Sequence, residues 1–163
     1  MALSITDTLA TQLAVTLAAQ LGSPVSSPTG GFLYLYSGTV PLTAAAAVTG
    51  TKLAKIGVNT VPATAPAVCH FDQPTTPTLY KAAAETWSSG TSATGVIASG
   101  TATFYRYCAG TSDDGMAADS GTNIRIQGTV GTTGTDLILP STTITVGTAV
   151  PIGTFQYNEP QAA

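Results

Sequence analysis

Between residues 97 and 157 the apolar content of this chain comes in short runs, at 101–108, 124–129, 137–139, 142–146 and 150–157. The runs are rich in β-branched and aromatic residues, and Gly, Asp or Pro separates them. That pattern reads as strands joined by tight connections. In the first run Thr101, Thr103, Tyr105 and Tyr107 alternate with Ala102, Phe104, Arg106 and Cys108. In the next, Ile124, Ile126 and Gly128 alternate with Arg125, Gln127 and Thr129. Between them, 111–115 ends in Asp114-Gly115, a strong turn signal. Spaced strands with Gly-rich turns imply a mainly β domain, an antiparallel sandwich or jelly roll rather than βαβ units.

The upstream half adds a helix and two strands. Residues 4–21 carry apolar side chains at helical spacing (Leu9, Leu13, Leu17), with Ser4 or Thr6 as cap, Asp7 in the first turn and Gly22 just past the end. Packing of this helix on its own domain is favoured over packing on a neighbouring subunit. Residues 23–31 form a loop. In 32–36, Phe32, Tyr34 and Tyr36 fall on one face and Leu33 and Leu35 on the other, as suits a strand buried on both sides. A short helical turn is expected at 44–48 and a strand at 53–56. Segment 57–95 is broken by Pro62, Pro66, Pro74 and Pro77. It reads as an irregular arm or lid, anchored by Phe71, Leu79, Tyr80 and Trp87, with a helix-prone piece at 81–85. The expected organisation is one domain over 1–163, with core strands in 96–158 and a loose tail from Glu159.

Charge is scarce. Only 8% of residues are charged against 44% hydrophobic, where about a quarter is usual in a soluble domain. A surface of hydroxyls and methyls suits permanent contact with a neighbour. The five basic residues, Lys52, Lys55, Lys81, Arg106 and Arg125, are spread out, so the stripe that neutralises nucleic-acid phosphates is missing. No 18-residue apolar stretch is present to span a membrane, and no signal-peptide pattern opens the chain. Manufacture in a reducing cytosol is the expectation, which favours free thiols at Cys69 and Cys108.

Catalytic patterns are thin. His70 is the sole histidine, and adjacent Cys69 would point away from it in a strand. Cys69, His70 and Cys108 fall short of four zinc ligands. Asp113, Asp114 and Asp119 sit where Asp is common for turn reasons, without ordered calcium-loop spacing. Arg106 and Arg125 fall in neighbouring strands and share a face with Asp113 or Asp136, as a solvated or interface charge cluster rather than a reaction centre. Trp87 and the tyrosines read as core before they read as a sugar platform. No enzyme, cofactor or metal site is expected.

The run 100–106, Asp114-Gly115, Gln127-Gly128-Thr129-Val130-Gly131, Thr135-Asp136-Leu137-Ile138-Leu139 and the Thr-rich strand 142–146 resembles a pattern in small virion proteins of tailed bacteriophages. Tyr36-Ser37-Gly38-Thr39-Val40-Pro41, the Ala run 44–47 and Lys52-Leu53-Ala54 are similar to the same group. The chain departs from it in a longer Pro-rich middle and an insertion at 117–122. The resemblance implies a structural component of the particle, foremost a head decoration (cement) protein on the capsid surface. Such a protein binds the major capsid protein and copies of itself, in a closed oligomer such as a trimer. A tail or neck component and a carbohydrate-binding, adhesin-like module are the alternatives.

Overall fold

The structure, a computed structural model, describes residues 7–22, 30–58, 67–72, 78–91 and 94–158. The expected caps Ser4 and Thr6, most of the 23–31 loop, the prolines at 62, 66, 74 and 77, and the tail from Glu159 lie outside these residues.

Among the described residues one helix, α1 (Asp7–Leu21), precedes eleven strands. These are β1 (Gly31–Tyr36), β2 (Lys52–Val58), β3 (Thr78–Tyr80), β4 (Trp87–Ser88), β5 (Gly100–Thr101), β6 (Phe104–Ala109), β7 (Arg125–Gly131), β8 (Leu137–Ile138), β9 (Thr143–Ile144), β10 (Pro151–Ile152) and β11 (Gln156–Asn158). The fold is mainly β. Seven strands form one sheet in the order β10-β4-β2-β1-β6-β7-β8, and β3/β11 and β5/β9 form two-stranded ribbons.

β1 lies in the middle of the sheet because both of its faces are apolar. All six of its residues are buried. Leu33 pairs with Tyr107 and Leu35 with Tyr105 on one face, while Phe32, Tyr34 and Tyr36 sit opposite Cys108, Arg106 and Phe104 on the other. The first face builds the main core with α1, whose Ala14, Ala18 and Leu21 are fully buried. The helix therefore packs on its own sheet. Gly22 ends it at φ +101°, the left-handed conformation glycine adopts without strain. The Tyr107 hydroxyl faces both Leu21 O at 2.8 Å and Cys69 O at 2.9 Å, tying the helix end to the sheet.

The described part of 57–95, expected as an irregular arm or lid, is built into the core instead. β4 hydrogen-bonds between β2 and β10, and Phe71, Leu79 and Trp87 are fully buried, while Tyr80 is half-exposed. Phe71 meets Trp87 edge-on with ring centres 5.5 Å apart and Tyr107 at 5.0 Å. Burial of these large rings outweighs the absence of long regular elements. The helix-prone piece at 81–85 makes one turn, closed by Glu85 N to Ala82 O at 3.0 Å.

Two further expectations change. The antiparallel rule fails at the edge, where β8 runs parallel to β7 with Val130 opposite Leu137 and Gly131 opposite Ile138. A parallel pair normally needs a long crossover. Here the ladder is so short that a tight loop suffices, and the Asp136 carboxylate holds that loop by accepting from Thr129 N at 2.7 Å and Thr129 Oγ1 at 2.8 Å. The run 101–108 is also split. Ala102 N bonds Thr142 O and Thr103 N bonds Tyr36 O, so the chain leaves the β5/β9 ribbon and joins the main sheet between these residues.

Among the described residues, no helix covers the second face of the sheet. The β1–β2 connection (37–51) and the β6–β7 connection (110–124) fold over it, joined by Val48 N to Met116 O at 2.9 Å and Asp119 N to Ala45 O at 2.8 Å. Beneath them Tyr36 stacks on Phe104 with ring centres 5.0 Å apart. The two cysteines lie on opposite faces of the sheet, Cys69 in the main core and Cys108 under the loops, and neither is bonded.

At Gly31 the backbones of β1 and β6 approach closely, and an added Cβ would stand 2.2 Å from Cys108 O and 2.9 Å from the Tyr107 ring. At Gly153 a Cβ would meet nothing within 4 Å. Gly31→Ala should therefore lower stability by at least ~1–3 kcal/mol in guanidinium unfolding, while Gly153→Ala should stay within about 0.5 kcal/mol of the parent. Equal effects would show that the β1–β6 pairing is looser than described.

Candidate functional site

The polar groups gather in two places. The larger cluster lies on the second face of the sheet, beneath the two loops. Arg106 projects there from β6 and is fully buried. Its Nη1 donates to Gly115 O at 2.5 Å and its Nη2 to Ala46 O at 2.7 Å and Thr43 O at 3.2 Å. Its Nε donates to Gln127 Oε1 at 2.9 Å. Burial lowers its pKa from the ordinary arginine value, although a guanidinium stays protonated in proteins. Gln127, opposite Arg106 on β7, donates its own Nε2 to Pro41 O at 2.8 Å.

Arg125 is the neighbour on the same face. It grips Asp113 with two bonds, Nε to Oδ2 at 2.6 Å and Nη2 to Oδ1 at 2.7 Å. Burial opposes ionisation of Asp113, yet the Arg125 guanidinium and the Gly115 amide outweigh it and hold the carboxyl below its usual range. Lys52 pairs with Asp114 at 2.8 Å and lowers that carboxyl too. Asp113 and Asp114 also accept from the amides of Gly115 and Met116, which shapes the turn, and Gly115 sits at φ +71°. Tyr36 closes the cluster by donating its hydroxyl to Asp114 O at 2.5 Å.

The expectation that Arg106 and Arg125 share a face with Asp113 is met. The solvated character expected of that cluster is not, because the Arg125 and Asp113 side chains are only 4% and 7% exposed. Asp136 stands apart on Thr129, whose amide and hydroxyl lower its pKa. Asp119 accepts from Gly121 N and Asn123 Nδ2 within its own turn. Among the described residues, no three His, Cys, Asp or Glu side chains converge as metal ligands would.

The smaller cluster surrounds His70. Cys69 points into the core and His70 away from it, as the strand geometry requires. Glu85 takes up His70, with Oε1 at 2.5 Å from Nδ1 and Oε2 accepting from His70 N at 2.9 Å. Trp87 Nε1 donates to the same Oε2 at 2.8 Å, and Lys81 donates to Glu85 O at 2.5 Å. An imidazole oriented by a carboxylate resembles two-thirds of a hydrolase triad. The nucleophile is what the cluster lacks. Ser88 Oγ accepts from Gly90 N, and Ser89 Oγ donates to Gly90 O and accepts from Val150 N. The Cys69 thiol is buried, which pushes its pKa up. Glu85 instead fastens the His70 segment to β4. Glu85 was not singled out from the sequence, where it reads only as the end of a Lys-Ala-Ala-Ala-Glu run.

Trp87 is fully buried and is therefore not a sugar platform. Among the described residues the most exposed large apolar side chain is Leu42, at 98%, followed by Ile138, Val146, Tyr80, Leu13 and Ile97. Leu42 also escaped the sequence reading, since an apolar residue in a Pro- and Thr-containing turn carries no period. Its neighbours are pinned, Pro41 by Gln127 and Thr43 by Arg106. No protein-family model, curated protein or solved structure matches the chain.

Two outcomes test the buried cluster. Arg106→Met should cost ~3 kcal/mol or more in denaturant unfolding, because it takes the donor from the buried Gly115 carbonyl, the half-buried Ala46 carbonyl and the Gln127 oxygen. Arg106→Lys should recover little of this, as an ammonium lacks the fork. Asp113, Asp114 and Asp136 have folded pKa values below the unfolded carboxylate value of about 3.9. On acidification the unfolded chain takes up protons first, so the stability these groups contribute is full above about pH 5 and is lost below it. Thermal melts from pH 7 to 2 check this, and Asp113→Asn should flatten the acid limb.

Proposed function

We propose that this chain is a structural component of a bacteriophage particle, a head decoration protein that binds the major capsid protein and further copies of itself on the capsid surface. One observation carries the reading beside the sequence resemblance. From Lys52 onward, every charged side chain of the described residues is engaged within its own chain. Lys52, Lys81, Arg106 and Arg125 hold the partners given above, Lys55 lies 3.6 Å from the Phe32 ring centre, and Asp72 accepts from Ala83 N at 3.0 Å. What faces outward carries little charge, chiefly the half-exposed Asp114 and the exposed Asp136, and includes several large apolar side chains. Such a surface loses little desolvation energy when covered.

In this reading the protein performs no reaction and needs no cofactor. Many weak contacts across capsomer junctions sum to a firm attachment, and synthesis takes place in the host cytoplasm before assembly. The sandwich or jelly-roll arrangement belongs to the same reading, with the β3/β11 and β5/β9 ribbons as the second layer against the main sheet.

The test is the copy number of this chain in purified particles, by quantitative mass spectrometry against the major capsid protein. A ratio near one, or a simple fraction such as one third, is expected. A ratio of a few percent would move the protein to the tail or neck, and absence from particles would sink the structural reading.

A further inference from the structure

We propose that the pocket between the β7–β8 loop and β11 binds a neutral sugar through the Tyr105 hydroxyl and the Asp136 carboxylate. The inference stands apart from the decoration reading and does not depend on it.

An unsatisfied hydroxyl carries the proposal. Four tyrosines are buried among the described residues. Three of them donate to main-chain carbonyls: Tyr34 to Asp113 O at 3.4 Å, Tyr36 to Asp114 O at 2.5 Å and Tyr107 to Leu21 O at 2.8 Å. Tyr105 is only 3% exposed, yet its hydroxyl meets no hydrogen-bond partner among the described residues. A buried tyrosine hydroxyl ordinarily finds one. Tyr105 lines a pocket of about 360 Å³, together with Gln127, Thr135, Asp136, Gln156 and Tyr157. Small-molecule sites span about 300–1,000 Å³, and a single sugar ring suits the lower end.

The pocket offers a donor and an acceptor side by side. A Cβ at Gly128 would stand 2.8 Å from Tyr105 Oη and 2.9 Å from Asp136 Cβ, so both residues flank the same bare glycine. Phe155 holds the Tyr105 ring edge-on, with centres 5.4 Å apart. Asp136 is fixed through Oδ2, which accepts from Thr129 N and Oγ1, and this leaves Oδ1 for a ligand. Burial and then the Asp136 charge raise the Tyr105 pKa, so the hydroxyl stays a donor at neutral pH. The Gln127 amide is already taken by Arg106 and Pro41, but Gln156 is exposed and its amide both donates and accepts. A sugar hydroxyl accepts from Tyr105 and donates to Asp136 at once, while its neighbour meets Gln156. An anion would face the Asp136 charge with no Lys or Arg in the lining. An organic cation would leave the tyrosine donor unused, and an apolar ligand would strip both groups of water without replacing it.

Heteronuclear NMR of the full chain, titrated with glucose, galactose, mannose and N-acetylglucosamine, tests this. At least one sugar should shift the amides of 105, 128, 135–136 and 156–157 saturably. The dissociation constant should be roughly millimolar, as about a dozen non-hydrogen atoms allow. Tyr105→Phe keeps the ring and removes only the hydroxyl. It should weaken binding roughly tenfold, while its denaturant midpoint stays at or above the parent's, because the hydroxyl has no partner in the chain to lose. No shifts with any of the four sugars, shifts confined to other regions, unchanged binding in Tyr105→Phe, or a fall in that variant's midpoint would overturn the proposal. Saturation of the same amides by tetramethylammonium chloride and by none of the sugars would overturn it too, and would make the pocket a site for an organic cation.

Discussion

The second face of the sheet depends on one buried cation. Arg106 has no carboxylate in direct contact. Its charge is met by three main-chain carbonyls and one side-chain amide, drawn from both covering loops and from β7. A buried charge is tolerated only when its donors are satisfied together. The loops are therefore positioned as a set. Displacing 43–46 would leave Nη2 unpaired, and displacing Gly115 would do the same to Nη1. A face that might have been covered by a second sheet or a helix is closed by irregular chain, held from below by a guanidinium fork whose fixed geometry suits several carbonyls at once.

This arrangement explains how so few charges serve the fold. Arg125 and Asp113 brace the same loop from its other side, Lys52 secures Asp114, and Glu85 fastens the His70 segment to β4. The ionic groups act inside the molecule, where they order chain that lacks long regular elements. Carboxylates with lowered pKa values can mark a reaction centre. Here each has a neighbouring turn or strand to hold, and the shift reflects that partner.

The sequence was most legible where periodicity is long. Five residues of β1, Phe32 to Tyr36, alternate between aromatic and aliphatic, and the two faces follow that alternation. Gly22 and the Asp114-Gly115 turn were legible because their backbone conformations demand particular residues. Strands of two or three residues, such as β3, β4 and β10, have no period to detect, and so 57–95 looked like an arm. Its buried aromatics were visible, but not the ladder that receives them. Arg106 was placed on the right face by alternation. Its burial was not legible, because its partners are main-chain carbonyls, and every residue type carries one. Leu42 was hidden for a related reason: exposure of a single apolar residue is set by what the tertiary structure fails to bring over it.

The ends of the sheet bear on how the molecule can associate. Long open edges invite strand-to-strand pairing. At one end β10 is two residues long and begins with Pro151, which has no amide to donate. At the other end β8 is equally short, and beside it Asp136 occupies the outward amide of Thr129. Extending the sheet into a neighbour at either terminal strand would therefore form few bonds. The most exposed large apolar side chain among the described residues, Leu42, lies instead on the loop pinned by Arg106 and Gln127. The same buried cation that closes the fold thus also fixes the loop on which this exposed leucine stands.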